Sequence, residues 1–286
     1  MRFADPRRLA ILVAVAAVLG LAPAATADRA SRRYEFRGNP RLKVSADDGR
    51  VRFHVGAAGR ITIEIETVGW TIGPGGLRLT DSQEGNRIQF AAREPRMRWF
   101  SVGRRSVEID VTVPRELDLD VGTGDGSVTL GDLEGRLAIR TGDGSVRATG
   151  LRGDIVLETG DGTLLATGLD GGLRARTGDG CLRVEGRFDR LDVGTGDGPV
   201  EADVAPRSRV SEEWRLSTGD GPLVVRLPRD IAADLDAFTG DGGITTDLPI
   251  VVRGTQRAGR LSGQLNGGGG RMVLRTGDGS IRIEAR

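Results

Sequence analysis

The feature that most constrains this chain is a tetrapeptide, Thr-Gly-Asp-Gly, that begins at Thr123, Thr141, Thr159, Thr177, Thr195, Thr218, Thr239 and Thr276. The first four intervals are 18 residues each, and the later ones are 23, 21 and 37. A fixed short period means one supersecondary unit per repeat, and no single unit can bury its apolar face alone. Intervals that lengthen while the tetrapeptide persists read as loop insertions on a stacked scaffold.

The apolar residues keep the same register. Five positions after each Thr stand Val128, Val146, Leu164, Leu182, Val200, Leu223, Ile244 and Ile281. Two before it stand Val121, Ile139, Leu157, Ala175, Val193, Leu216, Ala237 and Leu274, and four before it a further apolar set from Leu119 to Met272. Polar residues alternate between them. Alternation on both sides of a fixed turn predicts two short strands per coil. The expected fold is all-β: a parallel β-solenoid or β-roll with about 18 residues per coil, flattened, two-sided and right-handed. The glycines are expected to let the chain reverse with positive φ, the Asp to bond nearby turn amides, and the Thr hydroxyl to face inward and satisfy turn backbone.

Four segments upstream, around Val51–Val55, Ile61–Ile65, Ile88–Phe90 and Val107–Val113, also alternate. Residues 43–113 therefore read as an irregular β region capping the stack, residues 114–286 as the repeat with a hairpin insertion at 254–270, and residues 28–42 as a flexible N-terminus. Residues 1–27 have the layout of an export signal: Arg2, Arg7 and Arg8, an apolar run from Leu9 to Leu21, and Ala25-Thr26-Ala27 as cleavage site. That run is shorter than the roughly 20 residues a spanning helix needs. Cleavage after Ala27 would place the chain in the periplasm, at the cell surface or outside the cell.

Composition removes several function classes. The leader holds three Arg and one Asp, so setting it aside moves the net charge from +1 to −1. Mixed charge near neutrality is no footprint for nucleic acid. One cysteine, Cys181, excludes an intrachain disulfide; it occupies a slot that holds Ser127, Ser145 and Ser280 elsewhere. His54 is the sole histidine and supports neither a zinc site nor a triad. Trp214 falls at an inward slot, whereas Trp70 and Trp99 lie outside the regular coils, placed to cap the first coil or to bind a partner. Gly267–Gly270 lacks the Lys-Ser/Thr of a phosphate loop.

Three segments resemble the bacterial putative-adhesin family of β-strand-repeat proteins, a family of unknown function. They are VEIDVTVPRELDLDVGT from Val107, the repeated TGDGSV, and the closing DGGITTDLP with LSGQLNGGGGRMVLRTGDGSIRIE. TGDGSV exchanges Asp and Ser relative to the family's more frequent TGSGDV. The resemblance implies an exported, adhesin-like structural protein.

The chemical candidates are the eight turn aspartates, Asp125, Asp143, Asp161, Asp179, Asp197, Asp220, Asp241 and Asp278, which stacking would set in a ladder. Carboxylates at strand spacing suit Ca²⁺, although the spacing departs from the calcium-binding nonapeptide. Two readings therefore stand beside the leading one: a calcium-stabilised β-roll, and an envelope polysaccharide-active enzyme using clustered acids. The leading reading has no catalytic residue and no cofactor. It places an interaction surface at Arg147, Arg174, Arg176 and Arg183, for an envelope polymer or a surface protein, with no transmembrane span in the mature chain.

Overall fold

The computed structural model describes residues 27–95, 105–252 and 259–286. The proposed leader, apart from Ala27, and Trp99 lie outside the described residues. Every regular element among the described residues is a strand. The N-terminal part holds β1 (Ala27–Glu35), β2 (Arg41–Ala46), β3 (Arg50–Val55), β4 (Arg60–Val68), β5 (Arg78–Glu84), β6 (Arg87–Arg93) and β7 (Ser106–Val113). The repeats supply β8 (Asp118–Thr123), β9 (Val128–Gly131), β10 (Glu134–Thr141), β11 (Val146–Thr149), β12 (Arg152–Thr159), β13 (Leu164–Thr177), β14 (Leu182–Thr195), β15 (Val200–Val204), β16 (Trp214–Ser217) and β17 (Leu223–Leu227). The C-terminal part adds β18 (Ala233–Thr239), β19 (Ile244–Thr246), β20 (Ile250–Val252), β21 (Arg260–Leu265), β22 (Gly270–Thr276) and β23 (Ile281–Ala285).

The 23 strands of the described residues join one sheet of mixed orientation. Within the repeats the pairing is parallel and in register, Leu119 against Leu137 against Ile155 and Val128 against Val146 against Leu164. Each repeat thus contributes one strand before its tetrapeptide and one after, to two series of strands. The long β13 and β14 belong to both series, with register shifts between Ala166 and Leu169 and between Gly171 and Gly172. The inward slots close into one core: Ile139, Leu157, Ala175, Val193, Trp214, Leu216 and Leu274 are all fully buried. Trp214 also donates its indole N–H to the Asp189 carbonyl at 3.2 Å.

The two ends depart from a purely parallel stack. At the N-terminal end β2 lies between β6 and β8, and β3 between β7 and β9. Antiparallel strands finish this end, β4 on β7, β1 on β4, and β5 on β6. Residues 28–35, expected to belong to a flexible N-terminus, lie in β1 and pair with β4. Asp28, Ala30, Arg32 and Tyr34 alternate toward the interior, and the Arg-rich composition hides that alternation from a hydropathy reading.

At the C-terminal end the coils do not stack in sequence order. β16 pairs with β22 and β17 with β23, while β18 and β19 pair with β22 and β23 from the other side. The Thr276 coil is thus inserted between the Thr218 and Thr239 coils. The 37-residue interval is a skipped place, not a simple loop insertion. The antiparallel pair in this region is β20 with β21, and β21 also pairs antiparallel with β18. The Gly-rich stretch carries the chain from one side of β18 to the other. Its turn needs left-handed backbone at Asn266 (φ 47°), Gly267 (φ 87°) and Gly268 (φ 85°).

Candidate functional site

The tetrapeptide turns form one edge of the stack, and Thr is what ties them together. Thr141 Oγ1 donates to the carbonyls of Gly124 (2.9 Å) and Gly126 (3.0 Å) one coil earlier. Thr159 does the same to Gly142 and Gly144, and Thr177 to Gly160 and Gly162. The inserted coil obeys the spatial order: Thr276 reaches Gly219 and Gly221, and Thr239 reaches Gly277 and Gly279. The inward, backbone-satisfying role expected of Thr holds for seven of the eight. Thr123 is the exception, since its buried hydroxyl has no partner among the described residues. Its strand lies on β2, where the matching turn is Ala46-Asp47-Asp48-Gly49.

The glycines serve a different purpose from the one expected. No glycine of any Thr-Gly-Asp-Gly turn has positive φ. A Cβ on Gly144 would overlap the carbonyl of Gly126, and one on Gly142 would stand 2.9 Å from the Gly124 carbonyl. Glycine is required because successive turns approach backbone to backbone. Left-handed backbone is concentrated at the opposite corner, at Asp132 (φ 55°), Gly150 (φ 65°) and Gly168 (φ 64°).

All eight turn aspartates are exposed. Seven of them, all but Asp241, lean along the edge: Asp125 Oδ1 lies 3.2 Å from where a Cβ on Gly142 would be, and Asp143 Oδ1 2.9 Å from the same point on Gly160. Among the described residues no group of three or more His, Cys, Asp or Glu side chains converges on a point where a metal ion would sit. One carboxylate per coil makes a row, not a cage.

The four candidate arginines fall on two outward faces. Arg174 and Arg176 lie before the turn, and both meet Asp192, Arg174 at 3.3 Å. Arg183 lies after the turn and meets Glu201 at 3.1 Å. Arg147, flanked by Thr129 and Leu165, is exposed and makes no ion pair among the described residues. They do not form one basic patch. Cross-strand ion pairs recur along both faces, as in Arg140 bridging Asp120 (3.3 Å) and Glu158 (3.0 Å). Near the N-terminal end Arg52 pairs with Asp110 (2.8 Å) and Glu108 (2.8 Å), and His54 Nε2 lies 3.1 Å from Asp110. The Arg52 hydrogen bond, with help from His54, holds the Asp110 carboxyl below the usual carboxylate range. Cys181 is a free, exposed thiol.

One concavity escaped the sequence reading. A 550 Å³ cleft opens where the turn edge meets the N-terminal end, lined by Asp48, Arg50, Trp70, Glu94, Arg105 and Asp125 among others. Trp70 is buried, with the Arg105 guanidinium 4.0 Å above its ring. The signal that could have located it is Ala46-Asp47-Asp48-Gly49, a degenerate copy of the tetrapeptide. No helix among the described residues is long and apolar enough to cross a membrane.

The profile of a family described as Toastrack DUF4097 matches residues 40–284. No curated protein matches the sequence. Among solved structures, one described as a putative lipid binding protein from Parabacteroides distasonis is similar over 90% of this chain and 96% of its own, with TM-score 0.50 and 13% identity. Another, described as a putative adhesin from Parabacteroides merdae, covers 89% of this chain and 95% of its own at TM-score 0.38 and 9% identity. A third, a putative cell adhesion protein from Clostridium sporogenes, covers 91% and 100% at TM-score 0.29 and 12% identity. At these identities the first likeness concerns fold alone, and the other two are too distant to carry an argument.

Proposed function

Because the chain belongs to the Toastrack DUF4097 family, a putative-adhesin family of unknown function, we propose that it is a non-catalytic surface protein of the cell envelope. Its repeat β surface makes the contact. On this reading the body is a two-sided parallel solenoid closed by antiparallel strands, exported behind a leader that is cleaved after Ala27. The observation that carries the reading is the layout of the outward residues, one per coil in rows that follow the strand register. Rows of this kind suit weak contacts that add through avidity, against an acidic envelope polymer or another β protein. Arg147 is the most available of the candidate arginines, since the other three are held by carboxylates.

The test is binding of the purified protein to its own cell envelopes, beside a variant with Arg147, Arg174, Arg176 and Arg183 changed to Ser and an unchanged circular dichroism spectrum. Saturable binding that the variant loses is the expected result. Equal binding by both proteins would remove this surface from the account, and turnover of an envelope glycan would replace the reading with an enzymatic one.

A further inference from the structure

The two ends of the stack are finished differently. At the N-terminal end the outermost strands are β1 and β5, and both carry charge along their length: Arg29, Arg32, Arg33 and Glu35 in one, Arg78, Asp81 and Glu84 in the other. They are tied across the end by Arg32 Nε to Asp81 Oδ1 at 3.2 Å and by Gln83 Nε2 donating to the Glu35 carbonyl at 2.7 Å. Charged edge strands of this kind resist pairing with another chain.

At the C-terminal end the outermost strands are β19, Ile244-Thr245-Thr246, and β20, Ile250-Val251-Val252. Neither carries a charge. Among the described residues each has a single strand partner, β23 for β19 and β21 for β20. The described residues leave four large apolar side chains exposed, and three of them are at this end: Val251 (70%), Phe238 (47%) and Val252 (40%).

We propose that this end docks a second copy of the chain, with β20 pairing antiparallel to β20 of the copy across a two-fold axis centred on Val251. A two-fold pairing sets a strand against itself, so every side chain meets its own kind or its symmetry mate. A strand charged like β1 meets its own charges in such an arrangement. Ile250-Val251-Val252 meets only β-branched apolar side chains, which stabilise antiparallel ladders. The layer β18–β21–β20 then runs on into the second molecule, covering Val251 and Val252. Pro249 precedes β20 and has no N–H to offer, which limits the pairing to a short segment. The contact uses the same edge of both molecules, and the charged N-terminal ends face outward, so the assembly closes at two copies and does not grow into a fibre.

Sedimentation velocity of the protein, in the form its cell accumulates, tests this across a concentration series. The expected mass at the upper concentrations is that of two chains. Val251→Lys should halve it while leaving the circular dichroism spectrum unchanged, because the side chain is exposed in the single copy. Ser31→Lys, on the edge strand of the other end, should leave the dimer intact. A Val251→Cys variant in a Cys181→Ser background should form an interchain disulfide under mild oxidation. A single-chain mass throughout, a dimer that survives Val251→Lys, a dimer dissociated by Ser31→Lys, or no interchain disulfide would each overturn the proposal.

Discussion

Thr123 and Thr159 occupy the same slot two coils apart, yet the same substitution should act on them differently. Thr159 supplies a hydroxyl proton to the Gly142 and Gly144 carbonyls, at 3.1 and 2.8 Å. Thr159→Val leaves those acceptors short of a donor and should cost about 1 kcal/mol in a denaturant titration. Thr123 has no hydrogen-bond partner among the described residues, so Thr123→Val should be neutral within about 0.5 kcal/mol or mildly stabilising. Glycines give a second contrast. Gly144→Ala forces a methyl into the Gly126 carbonyl and should cost about 1–3 kcal/mol or more, while Gly243 has open space and non-positive φ and Gly243→Ala should change little. The role of Thr was legible in the sequence, because an inward polar residue at a strand end needs backbone partners. The reason for glycine was not, because the close neighbour that demands it lies one coil away. Asp110 adds a pH dependence. Its carboxyl is held below its ordinary value chiefly by the Arg52 hydrogen bond. That interaction contributes stability above the unfolded carboxylate pKa of about 3.9, and the contribution is lost as pH falls through the folded value. Arg52 and Asp110 are about a third exposed, 35% and 32%, so the effect should stay below about 1 kcal/mol. Asp110→Asn should lower stability at neutral pH and flatten its decline in acid.

At the scale of the strand, register is the testable quantity. Leu173 and Ala175 are buried while Arg174 between them points outward and meets Asp192. Leu173→Ala should cost about 2–5 kcal/mol, and Arg174→Ala no more than about 1 kcal/mol, as for an exposed ion pair. Equal midpoint shifts for the two in guanidinium would refute the register. This much was readable beforehand, since strict alternation around a fixed turn leaves one face for the core. β1 was not readable: its inward residues are Asp28, Ala30, Arg32 and Tyr34, and only Tyr34 among them is a large ring-bearing side chain. Their partners, Asp81 for Arg32 and the Ile72 amide for Asp28, come from strands and loops far along the chain. An amphipathic pattern built on ion pairs carries no hydropathy signal. Pro40 and Gly38 between β1 and β2, which look like punctuation of a flexible tail, are the corner that turns the chain from one series of strands to the other.

For the whole molecule the decisive feature is the order in which the coils stack, which sequence spacing misreports. Identical tetrapeptides are interchangeable in pairing, so spacing alone cannot distinguish an inserted coil from a long loop. Arg271 lies between the two strands it serves, meeting Glu213 on one side at 3.6 Å and Asp236 on the other at 3.5 Å. Stacking in sequence order would set Glu213 against Asp234, a destabilising like-charge pair, but also Arg215 against Asp236, a stabilising opposite pair, so the order must be read from the pairing itself. Because β22 and β23 are paired on both sides, deleting residues 260–286 should do more than shorten the stack. It strips β16 and β17 of their outer neighbours and separates them from β18 and β19, so the truncated chain should lose the cooperativity of its unfolding transition in calorimetry. Cysteine cross-linking in a Cys181→Ser background reads the stacking order itself. Ser217 is in register with Arg275, and Arg275 with Phe238. The pairs Ser217→Cys with Arg275→Cys, and Arg275→Cys with Phe238→Cys, should each form an intrachain disulfide on mild oxidation, while Ser217→Cys with Phe238→Cys should not. A disulfide between positions 217 and 238, with none from either to position 275, would show the coils stacked in sequence order and would contradict the inserted C-terminal coil.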